Sequence, residues 1–99
     1  MQVTVYLCPP QDFAKYYGED VIAEAQALAM RYGYAEVFTI EVSATGQAAA
    51  EECFDLSNNP MREVQRSFVW GQRRSLSVGD VVHCEGESYL CLPFGWQQL

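Results

Sequence analysis

The sequence predicts a small single α+β domain spanning residues 1–99: a mixed β-sheet with a C-terminal β-hairpin, and one long helix packed on one face. Three observations carry this expectation. "VTVYL" (Val3–Leu7) and "AEVFTIEV" (Ala35–Val42) alternate apolar and polar side chains with the period of half-buried strands. "EDVIAEAQALAMRYG" places Val21, Ile22, Ala25, Leu28, Ala29 and Tyr32 on one helical face. "DVVHC" and "SYLCL" flank "EGE", a hairpin signal within Asp80–Leu92.

Taken in order, Val3, Val5 and Leu7 form the apolar side of a first strand, which Cys8-Pro9-Pro10 stops because proline cannot donate to a ladder. The segment Asp12–Tyr17 is a short leading turn, interrupted at Gly18. The long helix covers Glu19–Tyr32, with Glu19 and Asp20 suited to its positive N-terminus and Gly33 to its C-terminal stop. In the second strand Phe38, Ile40 and Val42 share one face, and Val37 and Thr39 the other. Strand, helix, strand is a βαβ pattern, and a split arrangement with another strand between the two is equally allowed.

"TGQAAAEECFDL" reads as a helix with Thr45 as its cap. "SNNPMREVQRSF" carries the next start: Asn59 as cap, Pro60 at the first helical position, and Met61, Val64 and Phe68 at i, i+3, i+7. Arg62 and Arg66, four apart, share a face of that short helix. Gly71-Gln72-Arg73-Arg74 is the expected flexible connection. "SVGD" (Ser77–Asp80) suits a type II turn with Gly79 where φ is positive. Pro93 and Gly95 end the last strand, and Trp96 folds back over the core.

The composition, 49% hydrophobic and 13% aromatic, is that of a folding chain. No run approaches the roughly 18 apolar residues of a membrane span. The start "MQVTVYLCPPQDF" lacks the charged and long apolar regions of a signal peptide, so a cytoplasmic setting without membrane contact is expected. The four cysteines, Cys8, Cys53, Cys84 and Cys91, are then expected as reduced thiols. Net charge is −7, but residues 56–79 carry Arg62, Arg66, Arg73 and Arg74 against Glu63 alone. An acidic whole disfavours general binding to nucleic acid, while the arginine cluster leaves a small footprint open.

His83, Cys84 and Cys91, with Asp80 or Cys53, are the candidate metal set. Yet Cys84 and Cys91 are seven apart, unlike the close pairs of structural zinc sites. Neighbours on a strand also point to opposite faces, which separates His83 from Cys84. The same alternation weakens a Cys–His nucleophile, although Cys91 could meet His83 across the hairpin. The plainer reading is a cross-strand cysteine pair in the core with a histidine at the rim. Glu51-Glu52 reads as a solvated helix face, and no phosphate loop or dinucleotide fingerprint appears. No catalytic residue, metal or cofactor is expected.

Binding is the remaining class. Arg62, Arg66, Arg73 and Arg74 could clamp anionic groups of a partner, against the alternative that they pair internally with Asp55, Glu63 and the acidic hairpin. Thirteen aromatics exceed what one small core buries, so Phe13/Tyr16/Tyr17 and Trp70/Phe94/Trp96 are candidate contact patches. The expected partner-binding residues are Arg62, Arg66, Trp70, Arg73, Arg74 and Trp96.

"RSLSVGDVV", followed by a short turn, "YLC" and "FGW", resembles the C-terminal part of YodL-like domains, and "FDLSNNPMREVQR" resembles the lead-in of small relatives encoded on mobile elements. The likeness covers about residues 52–96. This chain departs in having Gly79 where many relatives have serine and Cys91 where others place an acid. The resemblance implies a bacterial, cytoplasmic protein in a plasmid, phage or integrative-element context, with no established enzymatic activity and no catalytic residues to transfer. The expectation is an acidic protein-interaction module, an accessory or inhibitor of a mobile element with a protein partner. The alternative is a nucleic-acid-related role, through the Arg62–Arg74 segment or through acidic mimicry of DNA in an antirestriction-type inhibitor. A small enzyme or metal protein comes third.

Overall fold

The computed structural model describes residues 1–7, 36–92 and 94–99. The expected stop at Cys8–Pro10, the leading turn, the long helix Glu19–Tyr32, the Phe13/Tyr16/Tyr17 patch and the Pro93 stop lie outside these residues. The described elements run β1 (Gln2–Leu7), β2 (Glu36–Glu41), α1 (Gln47–Asn58), a 3-10 turn (Pro60–Arg62), α2 (Glu63–Val69), β3 (Val81–Cys84), β4 (Glu87–Cys91) and β5 (Trp96–Gln98). Together they form an α+β fold with a five-stranded sheet in the order β2-β1-β3-β4-β5.

Every pairing in this sheet is antiparallel. The α+β class holds, but the described strands do not make the mixed sheet expected. β1 and β2 are direct antiparallel neighbours, with Val3 opposite Ile40 and Val5 opposite Phe38, so they are neither a parallel βαβ pair nor separated by another strand. Alternation in a sequence reports a strand's faces and says nothing of its direction, which explains the miss.

The alternation itself reads through directly. Val3, Val5 and Leu7 are buried, and Val82 and Tyr89 continue their face across β3 and β4. Ala49, Ala50, Cys53 and Leu56 of α1, spaced as one helical stripe, pack in the same core. The opposite face buries Val81 and Leu90, which are cross-strand partners, so apolar side chains are buried on both sides of the sheet. Each fully buried Val or Leu of this kind stabilises the fold by about 1.5–3 kcal/mol.

The turns obey their local chemistry. Gly79 has φ of 93° and the Asp80 amide donates to the Ser77 carbonyl at 3.1 Å, the geometry expected for "SVGD". The β3–β4 hairpin turns on Glu85 and Gly86, with φ of 53° and 80°, the two positive angles of a type I′ turn. The α1 start differs from expectation: Gly46, with φ of 61°, occupies the cap position, and Thr45 makes no side-chain cap. Instead, Glu52 reaches back from the helix and accepts from the Ser43 and Ala44 amides at 3.0 and 3.1 Å. The chain end also differs. Leu92 donates to the Gly95 carbonyl at 3.0 Å, and Trp96 opens a fifth strand opposite Cys91 while its side chain packs on the core.

Glu85 holds a left-handed conformation that a residue with a Cβ adopts at a cost of about 1–2 kcal/mol, which asparagine avoids in part. Glu85→Asn should therefore stabilise the protein by about 0.5–1 kcal/mol, seen as a higher urea midpoint with an unchanged slope. A lower midpoint would show that the glutamate's charge, not its backbone, governs the turn.

Candidate functional site

The segment from Asn59 to Asp80 carries most of the candidate residues, and its organisation begins at a proline. Asn59 Oδ1 accepts from the Met61 amide at 3.0 Å and Pro60 opens the 3-10 turn, so the cap and first-position signals both fall where the sequence placed them. Asp55 then receives Arg62 at 2.9 Å and Asn59 at 3.1 Å. The Arg62 bond first, and the Asn59 bond second, hold the Asp55 carboxyl below its ordinary value.

Arg66 lies on the same side of the helix and is tied to the backbone. Its Nε donates to the Ser57 carbonyl at 3.1 Å, and its terminal nitrogens to the Gly71 and Arg73 carbonyls at 2.9 and 2.6 Å. Ser57 lies in the last turn of α1, so this cation also sits where the helix dipole favours positive charge. The buried Ser57 hydroxyl accepts from the Leu76 amide at 3.0 Å, and the Ser57 carbonyl also takes the Ser75 hydroxyl at 2.6 Å.

Trp70, expected as an exposed contact residue, is fully buried at 0% exposure. Its indole N–H donates to the Arg74 carbonyl at 2.8 Å, and Phe38 meets its ring edge-on at 5.0 Å. The aromatic surplus of the sequence therefore does not include this ring; the end of α2 directs it into the core and leaves it no surface for a partner. Arg73 lies over the Phe38 ring at 4.1 Å, pairs with Glu36 at 3.1 Å and donates to the Trp70 carbonyl at 3.1 Å. Arg74 forks onto both oxygens of fully buried Asp80, at 2.6 and 2.7 Å, while the Ser77 amide donates to the same carboxylate at 2.8 Å. The connection Gly71–Arg74, expected to be flexible, is thus pinned by carbonyls that serve as acceptors for buried or half-buried donors. All four arginines make internal bonds, as the internal-pairing alternative holds; Asp55 and the hairpin's Asp80 are used as that alternative expects, and Glu36 is added.

The outward side of the same helix carries an apolar line between exposed polar residues. Met61, Val64 and Phe68 are 92%, 74% and 88% exposed. They keep the i, i+3, i+7 spacing read from the sequence, on the side away from Arg62, Arg66 and Trp70. Periodicity locates such a stripe but gives it no inward sense. Here two guanidiniums and an indole occupy the inner side because each finds acceptors there. Phe94 is also exposed, and Trp96 is half-buried beside Phe54, Cys91, Leu92 and Gly95 around a shallow cavity of about 170 Å³.

The cysteine and histidine cluster disperses. Cys84 stands opposite Glu87, whereas the Cys91 amide bonds Asp80, so the two thiols are at opposite ends of the hairpin and are not a cross-strand pair. Four strand residues separate those positions, roughly 13 Å. His83 stands opposite Thr4 and Ser88 on the other face of the sheet from both cysteines, with Nδ1 2.8 Å from the Ser88 hydroxyl. Among the described residues no three His, Cys, Asp or Glu side chains are grouped to hold a metal ion. Cys53, Cys84 and Cys91 are free and buried. Burial first, then the nearby Glu52 and Cys84, pushes the Cys53 thiol up to about 12; burial and then Asp80 push Cys91 up to about 12. These are neutral packing groups at neutral pH.

Two outcomes follow from this geometry. Arg74→Ala, which strips a buried carboxylate of its guanidinium, should cost about 3 kcal/mol or more, and Arg74→Lys should recover only part because one ammonium cannot span both oxygens. Denaturant titration of the three proteins decides it; a loss below about 1 kcal/mol would assign the pair to the solvated class. Burial of all three thiols predicts that iodoacetamide at about pH 8 spares Cys53, Cys84 and Cys91 in the folded protein and labels them after unfolding, read by peptide mass spectrometry. Because the fold favours the protonated thiols of Cys53 and Cys91, their contribution to stability is complete below the ordinary value of 9.0 and is lost as pH rises toward about 12.

No protein-family model, no curated protein and no solved structure matches this chain.

Proposed function

We propose that the protein is a small acidic protein-interaction module whose contact surface is the outward ridge of the 3-10 turn and α2. A single observation carries this reading: Met61, Val64 and Phe68 stand exposed in one line on a segment whose two arginines are bound inward. Large apolar side chains scattered singly are ordinary, but three in register form the kind of stripe that partners cover. The partner surface in this reading moves from Arg62, Arg66, Trp70, Arg73 and Arg74 to the opposite side of the same segment. Trp96, half-buried next to exposed Phe94, stays available at a second edge. The accessory or inhibitor role in a bacterial mobile element, and the cytoplasmic setting, rest on the resemblance of residues 52–96 to YodL-like domains. Among the described residues no helix is long and apolar enough to cross a membrane.

Of the nucleic-acid-related alternatives, mimicry is favoured over direct binding. Direct binding requires guanidiniums that can reach phosphates, and the described arginines are spent on carbonyls, carboxylates and an aromatic ring. An acidic surface that occupies a DNA-binding protein needs none of them. Catalysis has no assigned residue in this reading.

The ridge can be removed without unfolding the protein. Phe68→Ser and Met61→Ser alter exposed side chains and should each leave stability within about 0.5 kcal/mol. The same variants should lower recovery of the protein's binding partner at least tenfold in co-purification from its native host, relative to the unaltered chain. Equal recovery by wild type and both variants, or no specific partner for the wild type, would remove the reading.

A further inference from the structure

From the ridge and its surroundings we infer that the occupant is a different protein, presenting an apolar groove with a cationic rim, rather than a second copy of this chain. This rests on the reading of the Met61–Phe68 ridge as the contact surface. The shape comes first. Residues at i, i+3 and i+7 of a helix form a narrow convex line, which is complementary to a groove that accepts alternate side chains as anchors. Two identical convex ridges meet only along a line, and three side chains from each copy fall well short of the roughly 800 Å² per partner of a standard interface.

Charge selects further. The chain carries −7, and its four described arginines are bound within the protein at Asp55, at Glu36 and Phe38, at Asp80 and at the Ser57, Gly71 and Arg73 carbonyls. Among the described residues Glu63, which opens the ridge helix, and Glu51 on α1 are exposed carboxylates. Two copies would bring like charges together, which costs free energy, whereas lysines or arginines lining a groove would meet these carboxylates and speed encounter. Gln65, which accepts from Arg62 at 3.0 and 2.7 Å, and Ser67, which donates to the Glu63 carbonyl at 3.0 Å, border the line of anchors with polar atoms.

The experiment uses the full chain with a photo-reactive phenylalanine analogue at Val64, and at Glu85 on the distant hairpin turn as control, irradiated in native-host extract. Adducts are mapped by mass spectrometry, and the captured protein is purified for titration. The expected result is an adduct at position 64 only, on an apolar segment bordered by Lys or Arg. The Kd should weaken at least tenfold between about 0.05 and 0.5 M salt, and Glu63→Lys should weaken it several-fold where Glu85→Lys does not. An adduct to a second copy, or a concentration-dependent dimer in sedimentation that Phe68→Ser abolishes, overturns the inference while leaving the ridge as an interface. Salt-independent binding, or an adduct in an acidic segment, likewise overturns the cationic groove alone. No adduct at position 64 overturns both the inference and the ridge.

Discussion

One guanidinium sets the orientation of everything between α1 and β3. Arg66 is bound to carbonyls at the end of α1, just after α2 and on the following loop, three points that are separate in sequence. A planar fork with donors on three nitrogens can hold such a set, where an ammonium cannot. The cation replaces water at carbonyls that a helix end leaves without partners, and it fixes which side of α2 faces the core. With Arg66 inside, Trp70 follows one turn later into the core beside Phe38 and Leu76. Met61, Val64 and Phe68 are then outside by geometry. The exposed stripe is the other side of a buried bonding arrangement, not a packing failure.

A second polar element continues the arrangement into the sheet. Asp80 is buried at the start of β3, and Arg74 and the Ser77 amide compensate its charge. The pair lies between the α2 loop and the hairpin, so it joins the apolar ridge to the strands. Ser57 and Asn58 add uncharged bonds to Leu76. Buried polar groups of this kind contribute little net stability when satisfied and cost much when broken, which suits them to specify one geometry. The apolar core of Val3, Val5, Leu7, Val82 and Leu56 supplies the drive, and the polar joint supplies the register.

How far the sequence led can be judged element by element. Strand faces, the Asn59–Pro60 helix start, the Gly79 turn and the Gly86 hairpin depend on interactions within a few residues, and each was legible. The separation of His83 from the cysteines was legible for the same reason, because strand alternation is local. Strand direction was not, since Val3 and Ile40 meet through contacts far apart in the chain. Burial of Trp70 was missed because its acceptor, the Arg74 carbonyl, is placed by the very loop that composition marks as flexible. The arginines are legible as a cluster, and pairing with Asp55 is among the alternatives the sequence offers. Their bonds to carbonyls are not legible, because backbone acceptors leave no mark in a sequence. The stripe was visible at helical spacing, but its outward sense depends on Arg66.

The placement of the arginines has a consequence for proteolysis. Between Glu36 and Leu99 the only lysine or arginine side chains are Arg62, Arg66, Arg73 and Arg74. Trypsin requires such a side chain free in its specificity pocket, with the flanking backbone drawn out straight. Each of these four is instead clipped to its own protein, three of them within the joint that links the helices to the hairpin. Cleavage at Arg66, Arg73 and Arg74 therefore proceeds through local opening of that joint, and its rate reports how often the joint lets go.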